Sequence, residues 1–272
     1  MCQKIFIIVL SILLALSGNA QAAQRTQKKR VHAITAHSAI LMDAATGKAL
    51  YSRNVYKKVA PASTAKVMTA LLVLENLSLD QVITVGSGAA GVSPSILGVK
   101  AGERLRVADL LAAALIISSN DAAVVLAEAV AGSHWQFVKL MNKRAKELGA
   151  KHTKFVNAHG LPTKESQFTT AYDMALIFRQ AMKHPFFTSA VKTKNKTIQS
   201  QAGRRFDLKN HNKLLWMSYG KDIYGKTGYT RKAGPCFVGF VERGKKTFIV
   251  SVFGSKYRWD DIQHIVRKYT GR

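Results

Sequence analysis

The sequence is poor in acidic residues and in cysteine, and it lacks the usual metal-binding motifs. It holds 15 Asp and Glu against 41 Lys and Arg in 272 residues, a formal net charge of +26. The eight histidines form no His-Glu-x-x-His pair and no Cys/His cluster, so we expect no metal site and no cofactor. No histidine has a position that singles it out for a Ser-His-Asp triad. Because Cys2 lies in the N-terminal leader, Cys236 is alone, and we expect it to be a small buried core residue and not a reactive thiol.

The apolar run at the start of the chain is short. Lys4 precedes the run Ile5–Leu16, and a small-residue cleavage site ends at Ala22. A bilayer span needs about 20 apolar residues, so we favour an export signal over an uncleaved anchor. The predicted organisation is a signal peptide over 1–22, a flexible basic lead-in over 23–35 and one domain over 36–272. We expect no C-terminal β-domain or membrane anchor after it.

The charge imbalance predicts a polyanionic partner. Loss of Lys4 with the signal leaves a charge of +25, and such a field attracts and captures polyanions. For an exported protein, whether periplasmic, extracellular or associated with the cell wall, these are anionic cell-wall polymers or a membrane surface. Nucleic acid is the rival partner. We do not favour it, because the basic residues are scattered and are not interleaved with aromatic residues in a stacking platform.

Strand patterns lie at both ends of the chain and helical patterns lie between them, which predicts an α+β fold. We expect the terminal strands to share one sheet with helices packed around it. The predicted strands are Ser38–Asp43, Lys48–Ser52, Phe206–Leu208, Ile223–Lys226, Phe237–Glu242 and Thr247–Phe253. The predicted helices are Ala62–Asn76, Asp109–Ile117, Asp121–Ala131, Ser133–Leu148, Thr170–Lys183 and Asp260–Tyr269.

The string Ser63-Thr64-Ala65-Lys66 at a predicted helix start pairs a hydroxyl with an amine. Residues three apart share a helical face, so Lys66 can reach Ser63. A serine becomes a nucleophile when a neighbouring base takes its proton. An ordinary lysine is protonated at neutral pH, so Lys66 must be desolvated or placed near another cation to act as that base. Alone, this string is common and also fits a helix start with a surface lysine.

Two further strings follow in order. Ser118-Ser119-Asn120 predicts a tight turn between two helices, where Ser118 can relay a proton and Asn120 can bind a substrate carbonyl. Asn120 also fits the N-cap of the next helix. Lys226-Thr227-Gly228 falls on a strand. There Lys226 would face the cleft, and Gly228 would let a substrate backbone lie alongside.

The residues around the third string complete a candidate site for acyl transfer. Thr227 or Thr230 can donate to a terminal carboxylate. The backbone N–H groups of Tyr229 and Ser63 would form an oxyanion hole. Together the three strings supply a serine nucleophile, a base, a polar relay and a cationic wall, the set used by penicillin-binding proteins and β-lactamases.

On these residues the chain resembles the D-alanyl-D-alanine carboxypeptidases, the low-molecular-mass penicillin-binding proteins. The likeness covers about 36–271 and extends to the strings Asn157-Ala158-His159-Gly160-Leu161-Pro162, Asn210-His211-Asn212-Lys213-Leu214-Leu215 and Gly225-Lys226-Thr227-Gly228-Tyr229-Thr230. The resemblance implies a β-lactamase/transpeptidase-like fold, a five-stranded antiparallel sheet flanked by helices with a mostly helical lobe. It also implies that Ser63 is acylated and that Lys66 is its base, with Ser118 and Asn120 as the second element. Lys226 and Thr227 would contact the substrate carboxylate, and Arg258 falls where such enzymes often place a carboxylate-binding arginine.

The chain departs from the family pattern at Ser119, where glycine is frequent. We also expect it to lack the C-terminal β-domain and amphipathic membrane helix that members of the family usually carry. We expect the protein to be a serine D-Ala-D-Ala carboxypeptidase that acts on peptidoglycan stem peptides. We also expect it to be monomeric and to be inhibited covalently by β-lactams. A D,D-endopeptidase or a transpeptidase would use the same groups. A class A β-lactamase is disfavoured, since no Glu-x-x-x-Asn string lies between the second and third motifs. A basic wall-binding protein without activity is the alternative outside enzymes.

Overall fold

The fold is centred on a five-stranded antiparallel sheet in which the two ends of the domain meet. The computed structural model describes residues 33–89, 92–220 and 222–271. Its strands are β1 Ser38–Asp43, β2 Ala49–Arg53, β3 Val82–Thr84, β4 Arg104–Arg106, β5 Asn195–Gln199, β6 Arg205–Lys209, β7 Ile223–Thr230, β8 Gly234–Arg243 and β9 Lys246–Phe253. Its helices are α1 Lys66–Asn76, α2 Val107–Ile116, α3 Asn120–Ala131, α4 His134–Glu147, α5 Ala171–Ala181, α6 Pro185–Lys192 and α7 Arg258–Thr270. Short 3₁₀ turns occupy Ala62–Ala65 and Lys213–Trp216.

The strand order in the main sheet is β2-β1-β9-β8-β7. The N-terminal strand β1 pairs with β9 along its whole length, from Ser38 opposite Phe253 to Asp43 opposite Phe248. β7, which carries the third motif, is the edge strand and pairs only with β8 among the described residues. The prediction that the terminal strands share one sheet is confirmed. An edge position leaves one side of β7 free to receive an extended peptide.

Both faces of the sheet are buried, in two separate cores. Side chains alternate along a strand, so Ile40 and Met42 of β1 pack into the core under the helices. Ala39 and Leu41 pack instead into a smaller core under α7. The helix α1 is buried almost all round over its first two turns, because its apolar residues spread around most of its circumference. No helix among the described residues is long and apolar enough to cross a membrane.

The predicted α+β class, with a five-stranded sheet and helices, is confirmed, and the missed elements are short or polar. β3 and β4 have three residues each and leave little periodicity to read. β5 has one buried residue, Ile198, so its sequence does not alternate between apolar and polar. Pro185 follows the end of the predicted helix Thr170–Lys183. It also begins α6, because proline fits the first helical position. The predicted signal peptide, 1–22, lies outside the described residues.

Candidate active site

Lys66 stands at the centre of the site. It is the first residue of α1, directly after the 3₁₀ turn that carries Ser63, and its side chain is fully buried. Its Nζ lies 3.1 Å from Ser63 Oγ, 2.6 Å from Asn120 Oδ1 and 3.0 Å from the carbonyl oxygen of His159. The structure thus brings Asn120 and His159, which are distant in the sequence, to the adjacent pair Ser63 and Lys66.

The partners of Lys66 fix which way its lone pair points. Asn120 Oδ1 and the His159 carbonyl oxygen can only accept hydrogen bonds, so each takes one hydrogen of the amine. Asn120 Nδ2 donates to the carbonyl of Pro94, which keeps Oδ1 facing the lysine. A neutral amine has two hydrogens, and its lone pair then faces the Ser63 hydroxyl. This is the arrangement in which Lys66 can remove the serine proton.

The surroundings of Lys66 favour the neutral amine. Burial lowers the pKa of Lys66 well below 10.5, the positive charge of Lys226 lowers it further, and the carboxylate of Asp121 partly opposes both. Asp121 is itself fully buried and accepts hydrogen bonds from four backbone N–H groups, those of Leu97, Gly98, Val99 and Ala122. None of the three motifs includes Asp121, so the sequence does not mark it as a site residue. Its negative charge raises the pKa of Lys66 and so limits the decrease caused by burial and by Lys226.

The second motif forms the predicted turn between two helices. Ser118 is 5% exposed and has a left-handed backbone (φ 63°), which is uncommon outside glycine and asparagine. Asn120 was considered as the N-cap of α3, and this is wrong. Ser119 is the N-cap, and its hydroxyl accepts from the N–H of Ala122 at 3.2 Å. The Asn120 side chain is therefore free of capping and reaches Lys66.

The third motif lies beside the serine turn. Gly228 on β7 is packed so tightly that an added methyl group would lie 3.2 Å from both Ala62 Cβ and the Ser63 nitrogen. Glycine therefore lets the edge strand approach the turn, as a backbone-binding cleft requires. Lys226 is 1% exposed, and its Nζ donates to the carbonyl of Thr227 at 3.0 Å. Burial and then the charge of Arg258 lower the pKa of Lys226 to about 7.

The remaining predicted binding residues have different surroundings. Thr227 is nearly buried (9% exposed), whereas the Tyr229 side chain is 64% exposed. Thr230 Oγ1 accepts a hydrogen bond from the N–H of Ala233 at 3.0 Å. The hydroxyl hydrogen of Thr230 remains available for donation. Arg258, at the start of α7, donates from Nη1 to the carbonyls of Gly228 (3.0 Å) and Cys236 (2.8 Å). Its guanidinium therefore packs against the strand that carries the third motif.

The loop 157–160 holds the backbone contact of Lys66, a contribution that residue types do not reveal. Asn157 Oδ1 accepts from the N–H of Gly160 at 2.6 Å, and Thr69 of α1 donates to the carbonyl of Ala158 at 2.6 Å. His159 acts here through its carbonyl oxygen and not its ring. Burial, followed by the charges of Lys66 and His134, lowers the pKa of the His159 ring to about 3, so it is neutral at physiological pH. The string Asn157-Ala158-His159-Gly160 was the available sequence signal.

Gly160 joins this loop to the serine turn, and we expect Gly160→Ala to destabilise the protein strongly. A methyl group there would lie 1.8 Å from the carbonyl oxygen of Ala62, and the backbone is left-handed (φ 85°). We expect the free energy of unfolding to fall by about 2–4 kcal/mol. The matched control is Gly102→Ala, with φ 81° but no atom within 4 Å, where a loss of about 1 kcal/mol is expected. Urea denaturation measures both, and equal losses would contradict the close contact.

Lys226 should make the stability of the fold depend on pH. Its folded pKa of about 7 lies below the ordinary lysine pKa of 10.5, so the unfolded chain binds more protons between these two pH values. The free energy of unfolding should therefore rise with pH above 7, by up to about 4 kcal/mol from this residue. Lys226→Met removes this contribution, so the variant should be more stable than the unmodified protein at neutral pH and have a smaller pH slope. Chemical denaturation below and above pH 7 checks this, with exposed Lys57→Met as control, and an unchanged slope would contradict it.

Neither a reactive Cys236 thiol nor a cluster of metal ligands is found in the described part of the chain. Cys236 is a free, fully buried thiol, and burial raises its pKa to about 11, which keeps it protonated and unreactive. Within residues 33–89, 92–220 and 222–271, no group of three or more His, Cys, Asp or Glu side chains could hold a metal ion.

Comparison with known proteins identifies the family of this chain. The family model for D-alanyl-D-alanine carboxypeptidase matches residues 22–257. D-alanyl-D-alanine carboxypeptidase DacF of Bacillus subtilis is 36% identical over 249 residues, 90% of this chain. The chain spans 64% of the length of that relative, less than two thirds. A D-alanyl-D-alanine endopeptidase of Pseudomonas aeruginosa is 31% identical over 234 residues, 85% of this chain and 75% of that protein.

A solved structure shares the fold over nearly the whole domain. A mutant of a Streptomyces DD-transpeptidase superposes with a TM-score of 0.82 at 29% identity, covering 88% of this chain and 99% of that one. The family match includes the serine turn, the second motif and the strand with Lys226. This chain belongs to the D-alanyl-D-alanine carboxypeptidase family.

Proposed function

We propose that the protein is a serine D-Ala-D-Ala carboxypeptidase that removes the terminal D-alanine from peptidoglycan stem peptides. One observation carries the proposal. The buried Lys66 amine lies 3.1 Å from Ser63 Oγ, its two other partners only accept hydrogen bonds, and its pKa is lowered well below 10.5. A base of this kind activates serine without histidine.

The reaction begins with acylation of Ser63. Lys66 takes the serine proton as Oγ attacks the carbonyl carbon of the D-Ala-D-Ala bond. The negative charge that develops on the carbonyl oxygen is met by the N–H groups of Ser63 and Tyr229, in the roles that the sequence predicts. As the C–N bond breaks, the leaving amine takes a proton from Lys66, relayed by Ser118. The free D-alanine departs and an ester on Ser63 remains.

Water completes the cycle. Lys66, neutral again, accepts a proton from a water molecule that attacks the ester carbonyl, and Ser63 regains its hydrogen. Lys226 and Thr227 bind the terminal carboxylate of the substrate in this proposal, and Arg258 and Thr230 add positive charge and a hydrogen-bond donor nearby. An acyl group that water removes slowly would leave the serine blocked. Covalent inhibition by β-lactams is proposed on that basis.

Digestion of peptidoglycan tests the proposal. Purified protein added to isolated peptidoglycan should convert pentapeptide stems to tetrapeptides with release of one D-alanine each, as measured by mass spectrometry of the muropeptides. An unchanged pentapeptide fraction would contradict carboxypeptidase activity.

A D,D-endopeptidase is the second candidate, favoured by the Pseudomonas aeruginosa relative of that name, of which the chain spans 75%. It uses the same groups and differs in what lies beyond the scissile bond. A fall in cross-linked dimers without a matching release of D-alanine would support it. The muropeptide experiment therefore separates the two activities.

The proposed location and partners follow from substrate and charge. Peptidoglycan lies outside the cytoplasmic membrane, so we propose that the protein is exported to the periplasm or cell wall and acts there as a monomer. Its net charge of +26 would hold it close to anionic wall polymers or a membrane surface.

A further inference from the structure

A groove of about 990 Å³ runs along the outer face of α4. The helix forms one wall, residues 154–156 and Glu165 form the other, and none of the site residues Ser63, Lys66 and Asn120 lines it. The opposite face of α4, with Phe137, Met141 and Ala145, is buried in the core, so the helix is held firmly in place. The proposed reaction leaves this groove without a function.

Cationic side chains dominate the groove. Lys139, Lys143 and Lys146 stand about one helical turn apart along α4, and Lys154 faces them from the other wall. Two acidic residues, Glu147 and Glu165, also line it.

The acidic residues neutralise the α4 lysines only weakly. Glu165 pairs closely with Lys154, at 2.6 Å. Glu147 lies 4.0 Å from Lys143, with both side chains exposed, and such a pair contributes little. The three α4 lysines therefore form a row of charges available to a ligand, which suits a chain with repeated negative charges better than one small anion.

The groove also offers apolar surface within reach of the lysines. Trp135 is 63% exposed at the N-terminal end of the row, and the ammonium of Lys139 lies 3.3 Å from its ring centroid. Val138 and Val156, which are both partly exposed, line the groove below. An exposed tryptophan beside a cation can pack against the carbon skeleton of a polymer whose anionic groups meet the lysines.

We propose that this groove binds a linear, phosphate-bearing polymer of the cell wall. A flat membrane would meet the tips of the lysines but would not reach Val138 and Val156 inside the recess. A polymer chain can enter and contact both. The choice of a wall polymer rests on the proposed function, which places the protein in the cell envelope.

The groove lies directly behind the active site. His134 lines it, and its ring centroid lies 5.8 Å from that of His159, the residue whose carbonyl binds Lys66. His134 Nε2 accepts from the N–H of Ala158 at 2.9 Å, so it belongs to the loop that supports the site. A polymer bound here would hold the catalytic serine near the wall without entering the cleft.

Charge reversal at two places tests the proposal. The first variant is Lys139→Glu/Lys143→Glu/Lys146→Glu. The matched control is Lys183→Glu/Lys245→Glu/Lys246→Glu, which changes the net charge equally at another basic cavity, of about 610 Å³. The dissociation constant for long-chain inorganic polyphosphate is measured for each at one low salt concentration. We expect it to rise about 30-fold or more in the groove variant and about threefold in the control, with a smaller salt dependence in the groove variant.

The outcomes distinguish the sources of binding. Equal losses in the two variants would mean that only the overall charge attracts polyphosphate and would overturn the proposal. Loss of binding to phosphatidylglycerol vesicles, with polyphosphate binding unchanged, would assign the lysines to a membrane and also overturn it. If the triple variant fails to fold, Trp135→Phe serves instead. Polyphosphate should change the tryptophan fluorescence of the unmodified protein and not that of Trp135→Phe. Penicillin labelling of Ser63, measured in parallel, reports the proposed catalysis separately.

Discussion

Ser63→Ala is expected to abolish covalent labelling by a fluorescent penicillin. The β-lactam carbonyl must be attacked by an oxygen nucleophile, and the Ser63 hydroxyl is the one that lies 3.1 Å from the buried amine of Lys66. Alanine removes the nucleophile and leaves the 3₁₀ turn and α1 in place, because Ser63 is half-buried and caps no helix. Labelling is measured by gel fluorescence and by the mass of the intact protein.

The control for this experiment is Ser189→Ala, an exposed serine on α6 that lies outside the proposed site. It should label as fast as the unmodified protein. The melting temperature of Ser63→Ala should stay close to that of the unmodified protein, which separates loss of the nucleophile from loss of the fold. Labelling that persists in Ser63→Ala would overturn the assignment of the nucleophile.

The sequence predicts the site where chemistry depends on side-chain type and local spacing. Ser63 and Lys66 are three residues apart at a helix start, so their contact follows from helix geometry. The turn at Ser118 and the strand at Lys226 also follow from local patterns. Their meeting in one place depends on tertiary packing and was predicted through the order of the three motifs and the family resemblance.

Backbone contributions could not be predicted in the same way. The carbonyl of His159 binds Lys66, yet every residue has a carbonyl and nothing in the type of residue 159 marks it. The N-cap of α3 was expected at Asn120 and is Ser119 instead; serine and asparagine cap equally well, so residue type does not decide between them. The structure gives the cap to Ser119 because Asn120 is engaged by Lys66. The need for glycine at 160 arises from the Ala62 carbonyl, far away in the sequence.

Lys66→Ala should slow acylation of Ser63 by about 10²–10⁴-fold, the usual contribution of a general base. The substitution removes the only amine within hydrogen-bonding distance of Ser63 Oγ among the described residues. It leaves no unpaired charge behind, because Asn120 Oδ1 and the His159 carbonyl are neutral, so the protein should stay folded. The rate constant is measured with fluorescent penicillin, with Lys57→Ala as an exposed-lysine control that should acylate normally.

The pH dependence of the same rate separates a base from a purely structural lysine. In the unmodified protein acylation should rise with pH and level off above the folded pKa of Lys66, well below 10.5. The positive charge of Lys226 contributes to that low pKa, so Lys226→Met should raise it and move the acid limb to higher pH. In Lys66→Ala the acylation rate should no longer rise with pH in this range, because no titrating base remains. A limb at the same pH in the unmodified protein and in Lys66→Ala would assign the titration to another group and exclude Lys66 as the base.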